Sequence, residues 1–185
     1  TFKAALFMSA GIIDHETNTR DIRKLGGLRH LMPITFIIAT IAALSMAGIP
    51  LLNGFLSKEM MLEEMAHTYL FGPEWLVPAL ATFGSLFSAA YCFRLIGHTF
   101  LGPKRAPESY PAKPHDPGVG LWLPPAILVV LVVVIGVAPF VVEDFVKLVT
   151  ASVLGTTAEV PTAHIKIWHG LVPALYMSIV AVGGG

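Results

Sequence analysis

Between Leu31 and Ser57 the chain contains no Asp, Glu, Lys, Arg or His, yet the run is interrupted by GIPLLNG at 48–54 and ends on Lys58-Glu59. Three further stretches, Trp75–Phe93, Pro117–Val142 and Ile167–Gly185, carry no Asp, Glu, Lys or Arg. A helix of ~20 apolar residues crosses a ~30 Å hydrocarbon core, and each stretch is close to that length or longer. Charged residues make up 13% of the 185, against about 25% in soluble domains. The expected fold class is all-α, a polytopic transmembrane helix bundle containing one discontinuous helix.

The same composition excludes several functions. Twelve basic and twelve acidic residues balance to zero net charge, so no nucleic-acid partner is expected. The single Cys92 lies in an apolar run, which excludes a disulfide within the chain and points to packing. The histidines show neither HxxxH nor CxxC spacing, so no metal site is expected. No nucleophile elbow, phosphate loop or dinucleotide fingerprint is present, hence no catalytic site and no cofactor. Asp14-His15-Glu16 resembles a catalytic cluster only by adjacency in a charged loop.

Punctuation gives an outline. Residues 1–13 read as the second half of a span, without an initiator Met, and Gly183–Gly185 falls inside another, so a piece of a longer membrane protein is expected. A polar loop at 14–30 carries Arg20, Arg23, Lys24 and Arg29. Pro33 suits a first helical turn, and a helix 33–48, a break, and a restart at 54–70 follow. A helix at 75–101 ends at Gly102-Pro103 and leads into a proline-rich loop. Then come a span at 121–142, an interfacial amphipathic helix at 143–154, a linker, and a last span at 167–185. Basic short loops favour the cytoplasmic side. The two most basic, 14–30 and 102–120 (Lys104, Arg105, Lys113), share a side only if residues 32–70 cross the membrane once. One discontinuous helix is therefore the expectation, with a re-entrant arrangement or two short crossings as the alternative.

A break at membrane depth is tolerated only where protein or a water-filled cavity surrounds it, and transporters place ion pathways beside such helix ends. Gly48, Pro50, Asn53 and Gly54 form the break, since Pro50 has no N–H for Met46 and the others suit a turn and restart. Lys58 within the membrane costs about 2.5–3.5 kcal/mol on insertion scales, which favours a functional role. Adjacent helical residues do not face each other, so Lys58 and Glu59 are expected to contact different groups. Glu59, Glu63 and His67 stand four apart on one face, either as a proton exit or as the solvated end of a helix. Lys3, a lone charge with about ten apolar residues behind it, is expected to be buried and functional, with snorkelling as the alternative. Arg94, near a span end, is expected to snorkel. His169 belongs either to a polar pathway or to an interfacial anchor beside Trp168.

These residues carry a family resemblance. Phe2-Lys3-Ala4-Ala5-Leu6-Phe7, Thr19 through Leu28 (TRDIRKLGGL), Met32-Pro33, and Ala47-Gly48-Ile49-Pro50 through Gly54-Phe55-Leu56-Ser57-Lys58-Glu59 follow one another in the first 60 residues. In that order they resemble the antiporter module shared by Mrp-type multisubunit Na⁺/H⁺ antiporters and the large membrane-arm subunits of respiratory complex I. GIIDHET, NGFLSKEM and IKIWHGLVPALYMS are closer to the Mrp type. The family often has two prolines at the break, where this chain has Pro50-Leu51. The resemblance implies the C-terminal part of a larger module in a bacterial or archaeal plasma membrane, in a hetero-oligomer with other membrane subunits. It implies proton translocation, with Lys3 and Lys58 in a polar chain, Glu59 as acidic partner, and protons and Na⁺ or another monovalent cation as cargo. The competing expectations are a proton-pumping subunit of the complex I type, or a scaffold that conducts nothing.

Overall fold

The computed structural model describes residues 1–66, 68, 73–103, 110, 112–154 and 173–185, and among them every regular element is helical. Seven α-helices follow one another: α1 Phe2–Thr17, α2 Pro33–Ala47, α3 Asn53–Ala66, α4 Leu76–Ile96, α5 Val119–Val137, α6 Phe140–Leu154 and α7 Pro173–Gly184. Short 3₁₀ turns at Ile22–Lys24 and Leu28–His30 punctuate the α1–α2 connection, and α4 runs on into a π-helical turn at Gly97–Leu101.

α2 is the central element and packs against α1, α4 and α5. Its inner surface is built from small residues: Ala42, Ala43 and Ala47 meet Ala5, Ala89 and Cys92 in one buried cluster. Without a hydrophobic drive between helices in lipid, close backbone approach supplies the attraction, and small side chains permit it. The large apolar side chains point the other way. Leu80, Phe83, Phe87 and Tyr91 line the outward face of α4, and Ile127, Val130, Val134 and Val137 that of α5, all exposed. Helices that are apolar outside suit lipid as solvent. Leu76–Leu101 and Val119–Val137 are long and apolar enough to cross a membrane.

Several boundaries differ from the sequence expectation. α1 continues through Asp14–Thr17 before Asn18 ends it in the left-handed region at φ 52°. Thr17 and Ser9 donate their hydroxyls to the carbonyls of Ile13 and Ala5 one turn back, which removes their polarity from the core. The 121–142 span is instead α5 at Val119–Val137, because Pro139 lacks the N–H that would bond Ile135 and stops the helix. α6 therefore starts at Phe140, and its Glu143 and Lys147 pair at 3.1 Å one turn apart. The expected linker after Leu154, the start of the last span, His164 and His169 lie outside the described residues.

The two basic loops meet. Tyr110 Oη donates to the Gly26 carbonyl at 2.8 Å, and the Asp116 carboxylate accepts from Ile34 N (2.9 Å), Thr35 N (3.1 Å) and Thr35 Oγ1 (3.0 Å). α2 begins Met32-Pro33, with no capping side chain of its own. Proline has no N–H to satisfy, and Asp116 takes the next two orphan donors from across the fold. Losing a helix cap costs roughly 0.5–2 kcal/mol. Asp116→Ala is therefore expected to lower the thermal midpoint of the purified protein, with Asp116→Asn falling between it and the native chain. An Ala variant that melts with the native chain would show that Asp116 does not hold α2.

Candidate functional site

α2 stops because of its last residues, in the manner of a Schellman turn. Gly48 takes φ 95°, where a side chain is disfavoured, and its N–H donates to Leu44 O and Ser45 O, each at 3.1 Å. Ile49 N also reaches Leu44 O at 3.1 Å. The carbonyls of Met46 and Ala47 remain, and Pro50 has no proton for either.

Lys58 supplies one. Its ammonium donates to Ala47 O at 2.9 Å and approaches Ser85 O of α4 at 3.5 Å. The side chain runs back along the break over Gly48, where an added Cβ would stand 2.9 Å from Lys58 Cδ. The C-terminal end of a helix carries partial negative charge, so α2 offers the ammonium a favourable site without a carboxylate. Fifteen residues of α2 place this contact about 22 Å along the axis from the Asp116 end.

The restart is held by a side chain that sequence reasoning missed. Ser45 Oγ, fully buried in the last turn of α2, donates to Asn53 Oδ1 (2.9 Å) and accepts from Gly54 N (3.1 Å). Gly54 lies so close to Ser45 that a Cβ there would overlap the Ser45 carbonyl. Asn53 Nδ2 in turn donates to Thr1 Oγ1 at 2.5 Å, tying the break to the first turn of α1. A lone serine one turn before a glycine-proline break was the available signal. Ser57 Oγ donates towards the Asn53 and Gly54 carbonyls at 3.4 and 3.3 Å.

The other expected site residues are distributed unevenly. Glu59 is 2% exposed, Glu63 is half-buried and Glu64 is exposed, so the carboxylates of α3 become more exposed away from the break. His67 lies outside the described residues. Lys3, expected to be buried, is exposed in the first turn of α1. It lines a cavity of about 330 Å³ with Phe7, Met46 and Tyr91. No hydrogen bond joins Lys3 to Lys58, but the same turn of α2 serves both, Met46 facing the Lys3 cavity and Ala47 holding Lys58. Arg94 is exposed near the end of α4, and Cys92 is fully buried in the α2–α4 cluster.

Asp14-His15-Glu16 is a correction in the other direction, since these residues are helical. Glu16 is 6% exposed, with His15 Nδ1 and His115 Nδ1 each 2.9 Å from one of its carboxylate oxygens. It clamps the end of α1 to the loop that carries Asp116. Among the described residues no group of three His, Cys, Asp or Glu is arranged to hold a metal ion.

The family model described as "NADH:quinone oxidoreductase/Mrp antiporter, TM" matches residues 1–88, which include α1, the break and Lys58. The chain is 46% identical over 189 residues to a probable K⁺/H⁺ antiporter subunit of Rhizobium meliloti, covering 100% of this chain and 18% of that protein. It is 43% identical over 187 residues to an Na⁺/H⁺ antiporter subunit, of the type designated A1, from Staphylococcus haemolyticus, covering 97% of this chain and 23% of the relative. Among solved structures, a chain of the Mrp complex from Dietzia sp. DQ12-45-1b matches with TM-score 0.76 and 36% identity, over 98% of this chain and 19% of that one. The chain thus spans about one fifth of the length of the relatives it matches. Over nearly its whole length it is similar to subunits of Mrp-type antiporters.

Proposed function

We propose that this chain conducts protons within the A-type subunit of a multisubunit monovalent cation/proton antiporter, as a multi-pass protein of a bacterial or archaeal plasma membrane. It is part of a secondary transporter, not an enzyme, and works with other membrane subunits. The cation is Na⁺ or another monovalent ion, the Staphylococcus relative being named for Na⁺ and the Rhizobium relative for K⁺. External protons are exchanged for the internal cation at the expense of the membrane potential.

The observation that carries this reading is the ammonium of Lys58 on the Ala47 carbonyl at the end of an interrupted helix. An intramembrane lysine is a functional group by default. This one is held by neutral carbonyls, so losing its proton leaves no buried carboxylate stranded opposite it. Lys3, around the same turn of α2, is the second carrier. Glu59 is the acidic member on α3, and Glu63 with His67 form the exit towards the far end of that helix. The meeting of Tyr110 with Gly26 and of Asp116 with Ile34 supports one side for both basic loops, and hence a single broken crossing by α2 and α3.

Two measurements test these points. In everted membrane vesicles carrying the assembled antiporter, Lys58→Ala is expected to lower cation-driven proton flux by at least about tenfold, the scale of a lost bond to a charged group. Unchanged flux with normal assembly would leave only the scaffold reading. Single cysteines at Arg20 and Lys113 are expected to react with an impermeant thiol reagent from the same side, and labelling from opposite sides would refute the single crossing.

A further inference from the structure

The conformation of the break is set from outside the broken helix. Leu51 adopts φ 70°, a left-handed conformation in a residue with a branched side chain, and among the described residues only Asn18 otherwise does so without being glycine. Such a conformation costs about 1–2 kcal/mol and persists only where its surroundings over-determine it. Leu51 is 57% exposed, so its side chain is not what fixes it.

The backbone contact on the other side is with α5. Pro125, Val129, Val132 and Gly136 are its buried residues and recur at helical spacing, a face that ends on Gly136 in the last turn. A Cβ on Gly136 would overlap the Leu51 carbonyl oxygen and stand 2.5 Å from Leu52 Cα and 2.7 Å from the Leu51 carbonyl carbon. Those neighbours are main-chain atoms, with no flexible end to swing aside. The last turn of α5 therefore lies directly on the backbone of the break. Seven residues on, Lys58 must return to Ala47.

We propose that Gly136 is a positioning residue for Lys58. By letting α5 close on residues 51–52 it holds Leu51 left-handed, and that turn aims the start of α3 so that the Lys58 ammonium meets the end of α2. The proposal rests on Lys58 being a proton carrier. Its structural half is tested separately from that reading.

The experiment uses the assembled antiporter with Gly136→Ala, Leu51→Gly and the double variant. Two readouts are taken: hydrogen–deuterium exchange of the segment 49–58, and the pH profile of cation-driven proton flux. Gly136→Ala is expected to speed exchange across 52–58 on the order of tenfold, the effect of losing one hydrogen bond's worth of protection. It is also expected to move the midpoint of the pH profile by about one unit, as a changed environment of the relay group does. Leu51→Gly frees the strained residue to turn away from the added methyl, so the double variant is expected to regain most of the native exchange and profile. Unchanged exchange in Gly136→Ala overturns the positioning role. Faster exchange with an unmoved pH profile overturns it as well, and because the break has then shifted without consequence, it points to a failure of the Lys58 reading. If Gly136→Ala does not assemble, recovery of assembly in the double variant supports the proposal and no recovery overturns it.

Discussion

The bond from the Lys58 ammonium to the Ala47 carbonyl is the contact on which the rest of the arrangement depends. Hydrocarbon offers no partner to a carbonyl at a helix end, and an unsatisfied group there costs several kcal/mol. α2 meets this with its own turn at Gly48 and with a cation from the next helix, while the buried Ser45 hydroxyl takes the first restart N–H of α3. Each half of the broken helix thus completes the other. At its opposite end α2 has the Asp116 carboxylate on Ile34 N and Thr35 N. An anion at the positive end and a cation at the negative end both suit the helix dipole.

That arrangement demands close approach, and the sequence provides it where it is needed. Gly48 passes under the Lys58 stem, Gly54 lies on Ser45, and Gly136 lies on Leu51 and Leu52. The alanines of α2 bring α1 and α4 against it. Bulk is kept for the outward faces of α4 and α5, where Phe83, Phe87 and Val130 are exposed, as suits lipid as solvent. In the proposed function this packing has a purpose. Among the described residues the Lys58 ammonium is held by carbonyl oxygens, of Ala47 and of Ser85.

Much of this was legible in the sequence because lipid imposes strong rules. Pro33 at a first turn, Gly48 at a helix end and the apolar runs that hold α2, α4 and α5 each follow from single-residue chemistry, and each is found in place. Several of the misses share a physical cause, which is that they depend on residues far apart in the chain. Asp116 caps a helix 81 and 82 residues before it. Glu16 becomes a buried clamp only when His115 arrives, so Asp14-His15-Glu16 has the look of a plain polar loop. The importance of Gly136 appears only once the break lies beneath it. For Lys3 the sequence offers only the length of the apolar run behind it. Burial depends instead on what covers that face, and there Lys3 stays exposed at an open cavity shared with Met46 and Tyr91.

The most direct measurement is chemical rescue of the ammonium. With Cys92 replaced by alanine, Lys58→Cys is assayed for cation-driven proton flux before and after alkylation with bromoethylamine, which restores an amine at nearly the native length. Flux that is lost in the cysteine variant and returns in proportion to alkylation is the result expected if a titrating amine at the break carries the proton. Complete alkylation with no recovery of flux, in a protein that remains assembled, would contradict it.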